Sequence, residues 1–322
     1  MADNARWEGF AFRPDDVVIS TPPKCGTTWM QTLCALLIFD THELDQPMAR
    51  LSPWLDMQLY PRDDVVALLD SQDHRRFIKT HTPLDGVPYD DRVLYVGVGR
   101  DPRDAAISSK NHMDNIDLGH FLALREAAVG LDDLADLMPD GPPPQPADDR
   151  ERLQQWIEGE DPGAGMSLFG LVHHLDQFWR RRDEPGVALF HYQDMLRDLP
   201  GQMRRLRDAL GLDLSDQRVE DLAVAATFQA MKNRAVQAAP NTDLDLWRSA
   251  ENFFRFGSSG QWRERFDDDN LRRYDERVTE LTAPDFRDWL HNGWLGGPAL
   301  PDQRAEAGQP RERGSFGPVT PQ

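Results

Sequence analysis

The sequence predicts an α/β fold of three layers, a mainly parallel central sheet covered by helices on both faces. Three observations carry that reading. β-Branched runs are short enough to be buried strands, helical periodicity separates them, and a Pro/Lys/Gly turn joins the first run directly to a helix. The first run is Val17-Val18-Ile19, and Trp29, Met30, Leu33, Cys34, Leu37 and Ile38 follow it at helical spacing. Residues 61–69 suggest a short helix, and 76–81 read as a second strand ending in a turn. Residues 92–100 read as a third strand, after which Asp101-Pro102 opens a helix with Asp as N-cap and Pro at its first position. A helix over 168–182 leads to a fourth strand at 187–192. In such sheets ligands sit beyond the carboxyl ends of the strands, and the residues able to do chemistry fall at those ends.

Two stretches depart from this rhythm. Residues 114–165 hold a Gly/Pro-rich run and dense acids, and read as an irregular insertion of the lid or site-wall kind, with helical pieces around 121–129 and 152–157. The tail, 297–322, has few apolar residues and is expected to be disordered. With no linker before it, residues 1–296 are expected to form one domain, long enough to bury a sizeable core.

The formal charge of -19 argues against a nucleic-acid partner, which would need a positive footprint, so any anion must bind in a local basic pocket. Lysine usage narrows the search: the chain has thirty-two Arg but only Lys24, Lys79, Lys110 and Lys232. A Lys kept in an Arg-rich chain marks a place for a compact point charge on a flexible stem, and Lys24 and Lys79 both lie in motifs. Cys25 and Cys34 give neither a zinc site nor a disulfide framework, and a reduced, cytoplasmic protein is expected. No signal peptide is visible, and the longest apolar run, 33–39, is too short to cross a bilayer, so a lipid substrate would be met at the membrane surface.

Pro22-Pro23-Lys24-Cys25-Gly26-Thr27-Thr28-Trp29 is a phosphate cradle: the helix aims unpaired N–H groups and its positive dipole end at one spot, Lys24 adds a charge, and the two Thr add hydroxyls. An ATP-type loop places Lys after its last Gly, whereas Lys24 precedes Gly26. Arg100 ends a strand and Ser108 lies in the following helix, a forked donor and a hydroxyl suited to a second anion, although a strand-end Arg also pairs with local acids such as Asp101 or Asp104. Lys79 and His81 share one side of their strand, and His81 suits a general base; a turn-capping His is the plainer reading. The run 251–263 is rich in small residues and brings Arg255. Trp29 and Phe228 read from periodicity alone as ordinary helix core.

Taken together and in order, these segments resemble the PAPS-dependent sulfotransferase family, from about residue 17 to 262. The order Pro-Lys-x-Gly-Thr-Thr-Trp is similar to that family's loop for the 5′-phosphosulfate of PAPS (3′-phosphoadenosine 5′-phosphosulfate). The resemblance implies a P-loop-containing α/β/α fold and a cofactor site of Lys24, Cys25, Gly26, Thr27, Thr28 and Trp29, with Arg100 and Ser108 on the 3′-phosphate. It further implies Tyr192, Thr227, Phe228 and Trp29 around the adenine, and Arg255, Phe256 and Gly257 in the loop that closes over the 3′-phosphate; Phe256 departs from the family's Lys there. It makes His81 the catalytic base, supported by Lys24 and Lys79, with PAPS as co-substrate, PAP as product and no metal. Residues 76–86 and 98–106 look most like the mycobacterial and actinobacterial glycolipid sulfotransferases, implying a hydroxylated small-molecule or glycolipid acceptor and 114–165 as its insertion or lid. Two other readings stand beside this one: a nucleotide-dependent small-molecule kinase on a related P-loop fold, and a catalytically silent PAP- or lipid-binding module.

Overall fold

The computed structural model describes residues 3–137, 146–160, 166–234, 244–249 and 257–296. The expectations for the tail, for Arg255 and Phe256, and for two pieces of the insertion, 138–145 and 161–165, lie outside the described residues.

Four strands, β1 (Val17–Ser20), β2 (Phe77–Thr80), β3 (Leu94–Gly99) and β4 (Val187–His191), form one parallel sheet in the order β2-β1-β3-β4. Register aligns Ile19 with Lys79, Val17 with Leu94, and Gly99 with His191, so all four carboxyl ends emerge on one edge. The strand sequences are apolar on both sides because both faces are covered. Val17, Ile19, Phe77, Val96, Val98 and Phe190 pack against α1 (Thr27–Phe39) and the Leu199–Ala209 and Asp216–Ala225 helices. Val18, Ile78, Tyr95 and Leu189 pack on the other side against the Leu168–Arg180, Asp268–Leu281 and Pro284–Asn292 helices. Each large side chain so buried contributes about 1.5–3 kcal/mol, which drives the three-layer arrangement.

The strand starts are tied by charge: Arg76 donates from Nε and Nη2 to Asp16, at 2.9 and 2.5 Å, with both side chains buried. Arg76 and His81, read as ends of a strand over 76–81, therefore flank β2 rather than extend it. Similarly, Arg92 is held in a turn by Asp90, at 2.6–2.9 Å, and β3 starts two residues later. The insertion is more helical than its composition suggests, with Leu118–Val129, Asp132–Leu137 and Asp149–Glu158 as helices. Asp117 and Asp148 cap two of them, accepting from the N–H groups of His120 and Glu151.

β1 lies between β2 and β3: the chain goes from β1 to β2 on one side and then returns to β3 on the other. That is the topological switch point, where open parallel sheets place ligands.

Candidate active site

The loop after β1 and the starts of the segments after β2, β3 and β4 meet at this edge. Gly26 has φ of +112°, and a Cβ there would come within 3.1 Å of the Tyr192 ring, so the turn requires glycine on both conformational and steric grounds. Lys24 also sits in the left-handed region, φ +68°. α1 starts at Thr27 with Gly26 as N-cap and no side-chain cap, which leaves its first-turn N–H groups to serve an anion. Thr27 and Thr28 are buried there, the Thr27 hydroxyl 2.5 Å from that of Thr21. Cys25 is buried and its thiol is pushed up to about 12 by burial, so it contributes backbone rather than a nucleophile.

Arg100 hydrogen-bonds neither Asp101 nor Asp104. Asp101 caps the Pro102–Asn115 helix through the N–H of Arg103 and pairs with the Arg103 guanidinium at 2.8 and 2.9 Å. Asp104 accepts from the N–H of Gly260 at 2.7 Å. With those acids engaged, Arg100 donates to the carbonyls of Lys24 (3.0 Å) and Ser258 (3.3 Å) and lies 4.5 Å over the Tyr192 ring. It joins the phosphate loop to the glycine-containing segment, and its buried Nε has no partner among the described residues. Ser108 follows on the same helix, half-buried. An orphaned guanidinium N–H, an uncapped helix start and two nearby lysines fit a ligand carrying two phosphate-type groups.

The aromatics named for the purine form one group. Trp29 meets Tyr192 edge-on at 5.2 Å, and its indole N–H donates to the carbonyl of Ala226 at 2.8 Å. Both are buried, so Trp29 also serves the core, as periodicity suggested. Phe228 is half-buried, and Gly257, φ +62°, faces it so closely that a Cβ would fall 2.3 Å from its ring. The Thr227 hydroxyl accepts from the N–H of Ala230 at 3.3 Å, which makes its visible role helix capping.

β2 carries the other half of the site. Lys79 is buried, its Nζ 4.0 Å from the Trp54 ring centroid, and Trp54 in turn meets His81 edge-on at 4.6 Å. The Nδ1 of His81 is 2.7 Å from the carbonyl oxygen of Thr21. A carbonyl only accepts, so Nδ1 carries the proton and Nε2 is left with its lone pair. Burial, with Lys79 next, holds the His81 ring well below its ordinary 6.5, which keeps it neutral. Burial, then Arg100, lowers Lys24 to about 7; burial, then Lys24, lowers Lys79 to about 7, against the pull of Asp56.

Those two lysines give a sign-determined prediction. Above pH 7 the empty site holds them increasingly neutral, and a bound phosphate restores their protons. PAP binding at pH 8 should therefore take up protons and weaken as pH rises through 7. Calorimetry in two buffers of different ionisation heat measures this; proton release or no exchange would contradict it.

Three residues of the site escaped sequence reasoning. Trp54 touches both Lys79 and His81. Asp56, fully buried, accepts from the Thr80 and Thr82 hydroxyls and from the indoles of Trp7 and Trp54, bracketing Lys79 and His81 from beneath. His112 lies with Nδ1 3.2 Å from Lys24 Nζ. Only His112 carried a signal, its spacing of one helical turn from Ser108.

The comparisons with known proteins agree with this geometry. A family model described as sulfotransferase domain matches residues 14–285. Glycolipid sulfotransferases of Mycobacterium bovis and Mycobacterium tuberculosis are each 43% identical over 311 residues, covering 92% of this chain and 94% of theirs. A retinol dehydratase crystallised with androsterone and PAP shares the fold, with a TM-score of 0.66 at 23% identity over 88% of this chain and 87% of that one. By family match, relatives and fold, the chain belongs to the sulfotransferase family and is a PAPS-dependent enzyme that transfers a sulfuryl group to a hydroxyl, releasing PAP.

Proposed function

We propose that the acceptor is a glycolipid hydroxyl and that His81 takes its proton as the oxygen attacks sulfur. The observation that carries the base assignment is the Nδ1–H bond to Thr21, which leaves Nε2 as the proton acceptor. PAPS supplies the sulfuryl group. The chain's own residues hold and polarise it: Arg100 and Ser108 anchor the 3′-phosphate, while the first turn of α1 receives the 5′ end. Lys24 steadies the charge that gathers on the leaving phosphate oxygen, and Lys79, clamped over Trp54, supports the transferring group. Trp29, Tyr192 and Phe228 enclose the adenine, each stack worth on the order of 1–3 kcal/mol. Arg255 and Phe256 are assigned to the covering loop by sequence.

The lipid part of the proposal rests on what surrounds Trp54. Met57, Leu59, Ile116, Phe121 and Leu246 form an apolar cluster against which Trp54 and Trp247 pack. A cavity of about 430 Å³, lined by Met48, Met57, Tyr60 and Leu68 on its apolar side and by Gln31, Arg50 and Asp64 on its polar side, reaches Trp54 and Lys79. Trp54 joins the apolar cluster to His81, and the apolar part of the wall suits an acceptor with a greasy portion better than a fully polar one. The two mycobacterial relatives named as glycolipid sulfotransferases support the same reading. No helix among the described residues is long and apolar enough to cross a membrane, so the acceptor would be met by peripheral contact.

Incubation with labelled PAPS and either lipid or polar extracts of the source organism tests this. Label is expected in a glycolipid of the lipid fraction. Label confined to small polar products would overturn the acceptor assignment.

A further inference from the structure

Lys24 stands on a loop, and a flexible four-carbon stem alone does not place its ammonium on one oxygen. Asp101 and Asp104, at the start of the Pro102–Asn115 helix, are engaged elsewhere, by Arg103 and by the N–H of Gly260. The Lys24 ammonium donates to Nδ1 of His112, 3.2 Å away on the same helix. His112 is itself held. Trp247 packs on its ring at 5.0 Å, and the segment carrying Trp247 is tied to the helix end. Asn115 donates from Nδ2 to the carbonyl of Ser249 (2.9 Å), its Oδ1 accepts from the N–H of Ser249 (3.2 Å), and its carbonyl accepts from the N–H of Arg248 (2.9 Å).

We propose that His112 is a positioning residue for sulfuryl transfer: its neutral imidazole tethers the Lys24 ammonium at the phosphosulfate end of the site without cancelling the charge. A carboxylate in that place would hold Lys24 as well but would neutralise it and repel the anionic co-substrate. The surroundings keep the ring neutral, because burial first, then Lys24, Lys79 and His81, lower its proton affinity well below the ordinary value. Misplacing a catalytic group by about 1 Å costs on the order of 10²-fold in rate, so a tether of this kind is worth having even though it never touches the acceptor.

The inference rests on the assignment of Lys24 to the leaving oxygen, and the experiment separates the two. Steady-state kinetics with varied PAPS and calorimetry with PAP are run on the wild type and on Lys24→Met, His112→Leu, His112→Asn and His112→Asp. Asn places an amide oxygen near the position of Nδ1 and Leu places none. The expected pattern is a fall in kcat of about 10-fold or more for His112→Leu, with PAPS KM and PAP affinity within about threefold of wild type, and restoration to within about threefold by His112→Asn. His112→Asp should lose PAP affinity instead. A wild-type kcat in His112→Leu, while Lys24→Met is inactive, would overturn the tether. Equal loss in the Leu and Asn variants, both binding PAP and melting as the wild type does, would also overturn it, leaving His112 as packing. Full activity in Lys24→Met would overturn the assignment of Lys24 instead.

Discussion

His81→Ala should lower kcat by about 10²- to 10⁴-fold while PAP affinity stays close to that of the wild type. The surroundings suit the ring to the proposed base role: Thr21 fixes the tautomer, Trp54 supports one edge, and burial, with Lys79 next, keeps it neutral. Its contact with the loop is the single Nδ1–H bond to the Thr21 carbonyl, not a bond to the first turn of α1, so the loss is expected in proton transfer rather than in co-substrate binding. The pH profile gives an independent sign. A base must be unprotonated, and the His81 ring lies well below 6.5, so the acid arm of kcat/KM falls below pH 6.5. Lys24 and Lys79 must be protonated and lie near 7 in the empty site, so the alkaline arm sets in from about pH 7. The two lysines face each other's charge, and that arm belongs to the pair. Parallel loss of PAP binding and kcat in His81→Ala would make the residue structural.

Asp56→Leu is expected to cost at least about 2 kcal/mol of stability, because the buried Thr80 and Trp7 donors lose their acceptor at about 1–3 kcal/mol each, half-buried Trp54 loses its own, and only Thr82 keeps another, Asn4 Oδ1 at 2.9 Å. The donors are the hydroxyls of Thr80 and Thr82 and the indoles of Trp7 and Trp54, all converging on one carboxylate with no exposed surface. Thr80 and Thr82 alternate with Lys79 and His81 along the chain, so the carboxylate grips one side of the segment while the other side presents the proposed catalytic pair. Burial pushes the Asp56 carboxyl up, against its four hydrogen bonds, which marks it as a costly charge retained for geometry. Urea unfolding should show a lowered midpoint with unchanged slope. The fraction that remains folded should turn over more slowly as well. A stability within about 0.5 kcal/mol of wild type would show that the network is dispensable.

The fold was readable because its strands are buried on both faces and so appear as compact apolar runs: Val17-Val18-Ile19 in β1 and residues 94–98 in β3 need no context to be recognised. Their ends were harder. Arg76 and Arg92 extend the runs by composition but are drawn off by Asp16 and Asp90, and such side-chain pairing has no periodicity. The start of the Pro102–Asn115 helix was legible to the residue because Asp-Pro encodes cap and first turn locally. Of the proposed site, Lys24, Gly26, Thr27 and Thr28 could be named from the sequence because a single turn brings them together. Asp56 and Trp54 were not: both stand within Ser52-Pro53-Trp54-Leu55-Asp56, which has no motif of its own. Their roles arise only when the backbone of Pro53 accepts from the N–H of Lys79 (3.0 Å) and lays that segment beside β2. Arg100 shows the complementary case, a residue whose plainer partners, Asp101 and Asp104, were visible in sequence yet are engaged elsewhere in the fold.

The central claim is the division of labour at the sheet edge, with the 5′ end on the loop of Lys24 and the 3′-phosphate on Arg100 and Ser108. A crystal structure of the protein with PAP tests it most directly. The account predicts the 5′-phosphate on the N–H groups of the first turn of α1 and on Lys24, the 3′-phosphate on the Arg100 guanidinium and Ser108 hydroxyl, and His81 Nε2 facing the open side of the 5′ end. A nucleotide bound with its 3′-phosphate away from Arg100, or with its 5′-phosphate away from Thr27 and Thr28, would contradict it.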